Sequence, residues 1–220
     1  MTCAVIIPVY KTQPSRTDLL SIEQTLKVLH PRHEVYYLAP EGMDLSAYPP
    51  AGVMEAPRRF FTGRKSYSEL CCRPELYEAL AGYDYMLIMQ HDGWVFRDDL
   101  DEFMNLNYDY IGAPIIVGAW KFERPLIGNG GVSLRRVKTF IKVCRCYGPR
   151  STEYHPEDVF FCVLRRPLLR MAPNEVAARF SLEHHPEKYE QLLHHQLPMF
   201  CHRPWDLGYY DSYWKQYIPI

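Results

Sequence analysis

Residues 85–96 read YMLIMQHDGWVF, an apolar run that closes on an acid and then resumes with aromatic and apolar residues. Tyr85–Met89 is apolar on both faces, as a strand buried inside a mostly parallel sheet must be. A carboxylate at the end of such a strand is costly to bury unless it is paired or bound to a cation. Ligands of open α/β sheets sit at the carboxyl ends of the strands. The stretch therefore predicts an α/β fold and marks Asp92 as a metal or ligand residue. The plainer alternative has Asp92 capping the next turn and His91 packed in the core.

The chain upstream supports that fold. Thr2–Tyr10 reads as a β-branched strand that Pro8 ends, because proline cannot donate to a central ladder. Leu19, Ile22, Leu26 and Leu29 recur at helical spacing, and Glu34–Ala39 reads as the next strand. Such a strand–helix–strand unit fits a parallel crossover. Val53–Phe61 is a candidate short strand. Ser66 and Glu69 form a capping-box pattern that predicts a helix running to about Leu80.

Downstream, the pattern predicts helices over Asp98–Leu106, Arg136–Tyr147, Glu157–Arg165 (after Pro156, a favoured helix opener) and Asn174–Phe180, the last capped by Asn174. Pro186–His195 also reads as helical. Short strands are expected at Tyr108–Ile111, Pro114–Val117 and Val132–Leu134, with an irregular aromatic tail from Pro198. No repeat or linker interrupts the 220 residues, so a single domain is expected.

Composition narrows the function. A formal net charge of -1 gives no global basic field, which argues against nucleic acid as a partner. The 7 cysteines are an odd count without zinc-knuckle spacing, and no apolar signal segment opens the chain. Reduced thiols and a cytoplasmic location are therefore expected. No apolar run approaches the roughly 20 residues that span a bilayer, and the aromatics of Trp205–Tyr217 leave peripheral membrane contact as an expectation. Trp94, Trp120 and Trp205 are candidates for shaping an acceptor cleft, or ordinary core.

Several further motifs carry chemistry. A hard cation such as Mn²⁺ or Mg²⁺ wants carboxylate oxygen, and phosphate or water completes its shell; Asp92 in Gln90-His91-Asp92 suits it. Gly128-Asn129-Gly130-Gly131 offers a small-residue wall with one amide, suited to a sugar ring, or simply a glycine turn. Glu157-Asp158 is either a general-base pair or a first-turn charge pair favoured by the helix dipole. His202 could complete a metal shell as neutral imidazole, or pack as a lone histidine. His184-His185 and His194-His195 fit a solvated helix face better than zinc, since carboxylate and thiolate spacing is missing. Lys11, Lys65 and Arg73 are candidates for diphosphate contact.

In order along the chain stand IIPVYK, LAPEG, QHDGWVF, YDYIGAP, GNGGVSLRR, EDVFF and CHRPW. Together these resemble the GT-A-fold glycosyltransferases, and most closely a glycosyltransferase-like family long carried as a domain of unknown function. The resemblance covers nearly the whole chain and implies a single GT-A-like, Rossmann-like domain with a mostly parallel central sheet flanked by helices. It divides the chain into a nucleotide-binding half, residues 1–117, and a donor-sugar and acceptor half, residues 118–220. In that superfamily an Asp-x-Asp motif holds Mn²⁺ or Mg²⁺ against the nucleotide diphosphate. Here Gln90 takes the first position and Asp92 alone matches.

The resemblance also implies that Pro8, Val9 and Tyr10 line a nucleobase pocket, with Glu41 near base or ribose. Asn129, Gly130 and Gly131 would face the donor sugar. Asp158 matches the catalytic base of inverting relatives, with Glu157 its neighbour, and His202 resembles a late metal-binding histidine. The implied partners are a nucleoside-diphosphate sugar and a hydroxyl acceptor. Two alternatives are a sugar nucleotidyltransferase, which the glycine-free Pro8–Pro14 opposes, and a non-catalytic carbohydrate- or nucleotide-binding module, which Gln90 favours and Glu157-Asp158 opposes.

Overall fold

The computed structural model describes residues 1–115, 126–148, 156–206 and 208–219. Strand β1 (Cys3–Pro8) is wholly buried and ends at the proline. Helix α1 (Arg16–Leu29) begins one turn earlier than its apolar spacing suggests, because Ser15 caps it. Ser15 Oγ accepts from the Asp18 amide at 3.1 Å, and the Asp18 carboxylate accepts from the Ser15 amide at 2.9 Å. These two bonds satisfy two of the helix's orphan donors. β2 (Glu34–Pro40) and β3 (Gly52–Ala56) follow, so the candidate strand at residues 53–61 is real for its first half. Its second half is a 3₁₀ turn, Arg58–Phe61.

The single helix expected over residues 66–80 is two. α2 (Arg64–Cys71) starts at Gly63, and α3 (Pro74–Glu78) is separate. Ser66 is the third helical residue, not the cap: its hydroxyl reaches back to accept from the Gly63 amide at 3.1 Å. Pro74 forces the break by holding Arg73 extended, φ −88° and ψ 134°.

β4 (Tyr85–Met89) is buried at every position, and β5 (Gly93–Val95) follows after three residues. Next come α4 (Leu100–Asn105), β6 (Tyr110–Gly112) and a two-strand ladder of β7 (Pro114–Ile115) with β8 (Leu126–Ile127). β9 (Val132–Arg136) runs directly into α5 (Val137–Tyr147). α6 (Glu157–Val159) continues as a π-helical turn, Phe160–Leu164. α7 (Asn174–Phe180) leads into β10 (Ser181–Leu182), and β11 (Phe200–His202) and α8 (Tyr209–Ser212) complete the chain.

Six strands form the central sheet in the order β3-β2-β1-β4-β9-β6. All neighbours are parallel except β9, which runs antiparallel to both β4 and β6. Because β4 and β9 pair across residue 117, the two halves expected from the sequence share one sheet. Alternation of side chains along β1 fills two cores. Cys3, Val5 and Ile7 pack with Ile22, Leu29 and Phe103 on one face. Ala4 and Ile6 pack with Leu70, Tyr77, Phe140 and Phe161 on the other.

A small sheet, β10-β11-β5, carries a third cluster containing Trp94, Trp205 and Trp214. The tail is thus structured rather than irregular. Trp214 is fully buried, so it offers nothing to a membrane surface. Buried Trp94 meets partly buried Trp205 edge to face at 6.1 Å, and Trp120 lies outside the described residues. Among the described residues, no helix is long and apolar enough to cross a membrane.

Two further expectations are corrected. α7 is capped by extended Pro173, so Asn174 is its first residue. Residues 186–195 hold only a 3₁₀ turn, Pro186–Tyr189, because the backbone takes positive φ at His185, His194 and His195. The histidine pairs therefore lie on turns, not on a helix face. All seven cysteines are free thiols.

Candidate active site

The carboxyl ends of β1 and β4 open onto a cleft of about 910 Å³. One wall is Tyr10, which follows the strand-ending Pro8 and is 54% exposed. Its ring lies 5.3 Å from that of His91 and 5.6 Å from Lys11 Nζ, at the exposed rim. The opposite wall begins at the amino end of α2, where Arg64 and Lys65 border the cleft.

The floor is made where β4 ends. Gly131 gives its carbonyl to the Gln90 amide at 2.9 Å, which places the glycine loop beside Gln90-His91-Asp92. β11 pairs with β5 and sets His202 opposite Gly93. The His202 Nε2 atom then sits 3.1 Å from Gln90 Oε1 and 3.3 Å from Asp92 Oδ1. A Cβ on Gly131 would overlap the imidazole, so a glycine is required there. On its other side His202 Nδ1 is 3.2 Å from Glu183 Oε1. Glu183 also accepts a hydrogen bond from Asn129 Nδ2, while Asn129 Oδ1 accepts from the Gly131 amide at 2.9 Å.

Electrostatics follow from this contact chain. Burial works against charge on His202, but Asp92 and Glu183 outweigh it and raise the ring to about 9. Burial likewise opposes charge on Asp92, and His202 overcomes it, holding the acid at about 2. Glu183 is lowered for the same reason, against its own burial.

The residues present fit a divalent cation. Asp92 Oδ1 is buried with ion-pair distance to His202 but no hydrogen bond of ordinary geometry. Gln90 Oε1, Asp92 Oδ1 and His202 Nε2 converge as two oxygens and a nitrogen, a donor set suited to Mn²⁺. Among the described residues no group of three or more His, Cys, Asp and Glu side chains is placed to hold a metal ion by itself. Such an ion would need further oxygens from a diphosphate.

Glu157 and Asp158 form the remaining wall beneath the glycine loop. Their environments differ. Glu157 is buried, accepting from Ser68 Oγ at 2.7 Å and lying 3.8 Å from the Arg135 guanidinium. Asp158 is half-buried, and its Oδ1 accepts from the Val159 amide at 2.7 Å. Burial, and then the neighbouring Glu157 charge, raise Asp158 to about 6.

Eight of the residues singled out in the sequence thus line one cleft with Pro8 and Tyr10: Lys65, Asp92, Asn129, Gly130, Gly131, Glu157, Asp158 and His202. Four do not. The Val9 side chain is fully buried in the core, because its amide continues the ladder to the Leu38 carbonyl at 3.0 Å. Lys11 is tied to Asp18 at 2.9 Å, and Arg73 to Glu69 at 2.5 Å. Glu41 is exposed in the turn after β2, away from the cleft lining.

Sequence reading missed Glu183, Arg203 and Asp206 on the cleft wall. The signal for Glu183 was present, since it follows the buried Ser181-Leu182 strand just as Asp92 follows β4.

The sequence profile of the family described as "Protein of unknown function (DUF5672)" matches residues 51–202. No curated protein matches the chain. Solved structures do. The galactosyltransferase LgtC, determined in complex with donor and acceptor sugar analogs, aligns with a TM-score of 0.57 at 12% identity, over 97% of this chain and 93% of that one. Mouse xyloside xylosyltransferase 1 aligns with a TM-score of 0.56 at 8% identity, over 92% of this chain and 97% of that one. The glycosyltransferase GlyE of Streptococcus pneumoniae TIGR4 aligns with a TM-score of 0.56 at 13% identity; all of this chain is covered but only 60% of that one. The shared fold is that of the GT-A glycosyltransferases.

Proposed function

This chain belongs to the DUF5672 family of proteins of unknown function, and from its fold and cleft we propose that it transfers a sugar from a nucleoside-diphosphate sugar to an acceptor hydroxyl. One observation carries the reading: a single cleft gathers an exposed aromatic face (Tyr10), a divalent-cation donor set (Gln90, Asp92, His202), a glycine-and-amide wall (Asn129–Gly131) and a half-buried carboxylate (Asp158). These are the parts that base stacking, diphosphate binding, sugar placement and proton removal require.

Gln90, Asp92 and His202 would hold Mn²⁺ or Mg²⁺, whose chemistry is to neutralise charge on a departing diphosphate. Tyr10 stacks on the nucleobase, and Lys65 borders the path of the phosphates. Asn129 and the flat Gly130-Gly131 backbone receive the sugar ring. Asp158 accepts the proton of the acceptor hydroxyl. The freed oxygen bonds to the anomeric carbon as the carbon–oxygen bond to the diphosphate breaks, and the diphosphate leaves with that electron pair. Attack opposite the leaving group inverts the stereocentre and needs this one base. An acid raised to about 6 is ionised at neutral pH yet basic enough to take a proton.

A panel of nucleoside-diphosphate sugars, screened by thermal shift with and without Mn²⁺ and then by product release, tests the reading. Metal-stimulated release of nucleoside diphosphate is expected. Release of pyrophosphate would assign a nucleotidyltransferase instead. Binding without turnover would favour the non-catalytic module that Gln90, in place of a carboxylate, makes the second reading.

A further inference from the structure

Beneath the glycine loop lies a charge that the scheme above does not use. Arg135, on β9, is fully buried in an aromatic setting. Its guanidinium carbon lies 5.6 Å from the Tyr110 ring centre, 5.7 Å from Phe140 and 5.8 Å from Phe161. Nε donates to Ser133 Oγ at 3.0 Å, Nη1 to the Tyr77 hydroxyl at 3.0 Å, and Nη2 to the Gly130 carbonyl at 3.4 Å. Among the described residues, Glu157 is the one carboxylate within ion-pair distance of it, at 3.8 Å.

An arginine does not give up its proton inside a protein. A buried cation left without a counter-charge is strongly destabilising. Arg135 therefore demands a charged Glu157. Its Oε2 accepts from Ser68 at 2.7 Å, and its Oε1 lies 3.8 Å from the Arg135 guanidinium, directly under Gly130 where a Cβ would otherwise lie. Glu157 is thus held between Ser68 and Arg135 and is the more buried of the two acids. Asp158, next in the chain, has one carboxylate oxygen bonded to the Val159 amide and a half-buried position on the cleft wall.

We propose that Arg135 divides the labour of the adjacent acids, holding Glu157 as a permanently charged strut under Gly130 and thereby leaving Asp158 to take up and release the proton. Arg135 is a positioning residue, since it acts through Glu157 and the loop. The inference rests on the transferase reading, in which Asp158 is the base, and extends it to how the base is selected. The groups facing the pair support it. Asp158 sees the charges of Glu157, Arg135 and Glu183. Tyr67 and Cys71 of α2 face Glu157, and burial raises both, keeping them neutral. Tyr110 and Cys162, on the loop side, are raised by burial in the same way.

The test is a carbon-13 NMR titration of the side-chain carboxyls, with neither donor nor metal present, in the wild type and in Glu157→Gln, Arg135→Met and Arg135→Lys. The Asp158 midpoint is expected near 6 in the wild type and at least about one pH unit lower in Glu157→Gln, where the like charge is gone. In Arg135→Met the Glu157 carboxyl, left buried without its counter-charge, is expected to take up a proton at higher pH than in the wild type. Arg135→Lys, which keeps the charge, retains the wild-type pattern. An Asp158 midpoint unmoved in Glu157→Gln overturns the proposal, as does a Glu157 that ignores loss of the cation. Should Arg135→Met or Glu157→Gln, each of which strands a buried charge, fail to fold, Arg135→Lys decides: an Asp158 midpoint displaced from the wild-type value there overturns the proposal. Because no substrate is involved, a failed transferase assay and a failed titration are separate results.

Discussion

Two buried glutamates flank the glycine loop, and they are not equivalent. Glu157 faces Arg135, a cation that stays charged at every pH a protein survives. Glu183 faces His202, a cation that can lose its proton. Glu157 fixes the underside of Gly130 against the buried aromatic core. Glu183 fixes Asn129 and the imidazole at the open floor. The same side-chain type therefore builds a rigid corner and an adjustable one, and the difference lies in the partner. Under the proposed function, a loop receiving a sugar would profit from the first, and a site exchanging protons for a metal ion would require the second.

The largest expected effect falls on the acid beside the rigid corner. Asp158→Asn should lower transfer by ~10²–10⁴-fold, the usual worth of a general base, with donor binding unchanged. In the wild type, log rate should climb by one per pH unit below about 6 and level above it, as Asp158 ionises. The sign for stability is opposite. The folded acid is raised above its unfolded value of ~3.9, so ionising Asp158 costs stability as pH rises from 4 through 6. Asp158→Asn should remove that decline in urea denaturation, and a variant that is both slower and less stable would break the assignment.

Arg135→Met should cost about 3–5 kcal/mol in the same denaturation experiment, because it strands a buried carboxylate. A loss under 1 kcal/mol would mean that the rigid corner is not held by charge. Raising pH tests the two corners against each other in the presence of a chelator. His202 is raised to about 9, so its contribution is full below the unfolded value of ~6.5 and disappears as pH passes 9. The expected loss, on the order of 1–3 kcal/mol, should vanish in His202→Gln, while the Arg135 pair contributes none of it. Glu183→Gln is the mildest change. It should weaken Mn²⁺ binding 10–100-fold by calorimetry, the usual worth of a group that orients a metal-binding imidazole. Unaltered affinity would separate Glu183 from the cation site.

The sequence disclosed the elements that carry strong local signals. β4 was legible to the residue because five consecutive apolar side chains admit little else in an α/β chain. α1 was legible from its spacing, and its true start could have been read from Ser15 and Asp18. The break at Pro74 was equally readable, since the residue before a proline resists the helical region. Other features were not local. That Gly131 meets Gln90 depends on β9 pairing with β4 across more than 40 residues, and no spacing rule reports it. Val9 and Tyr10 are neighbours in a motif, yet one is core and the other rim. Arg135 stood inside a quoted motif without revealing that its charge is buried, because burial is decided by Tyr77, Tyr110, Phe140 and Phe161 arriving from four separate segments.

The reversed direction of β9 has a geometric consequence. Strands of opposite sense bring the exit of one and the entrance of the other to the same rim, so Met89 pairs with Val132 where the polypeptide leaves β4 and enters β9. Had β9 run with its neighbours, its glycine-rich approach would have been delivered roughly 17 Å away, at the far end of a five-residue strand. A single about-face in an otherwise uniform sheet is thus what lets side chains encoded at residues 90–92 and 128–131 border one cleft.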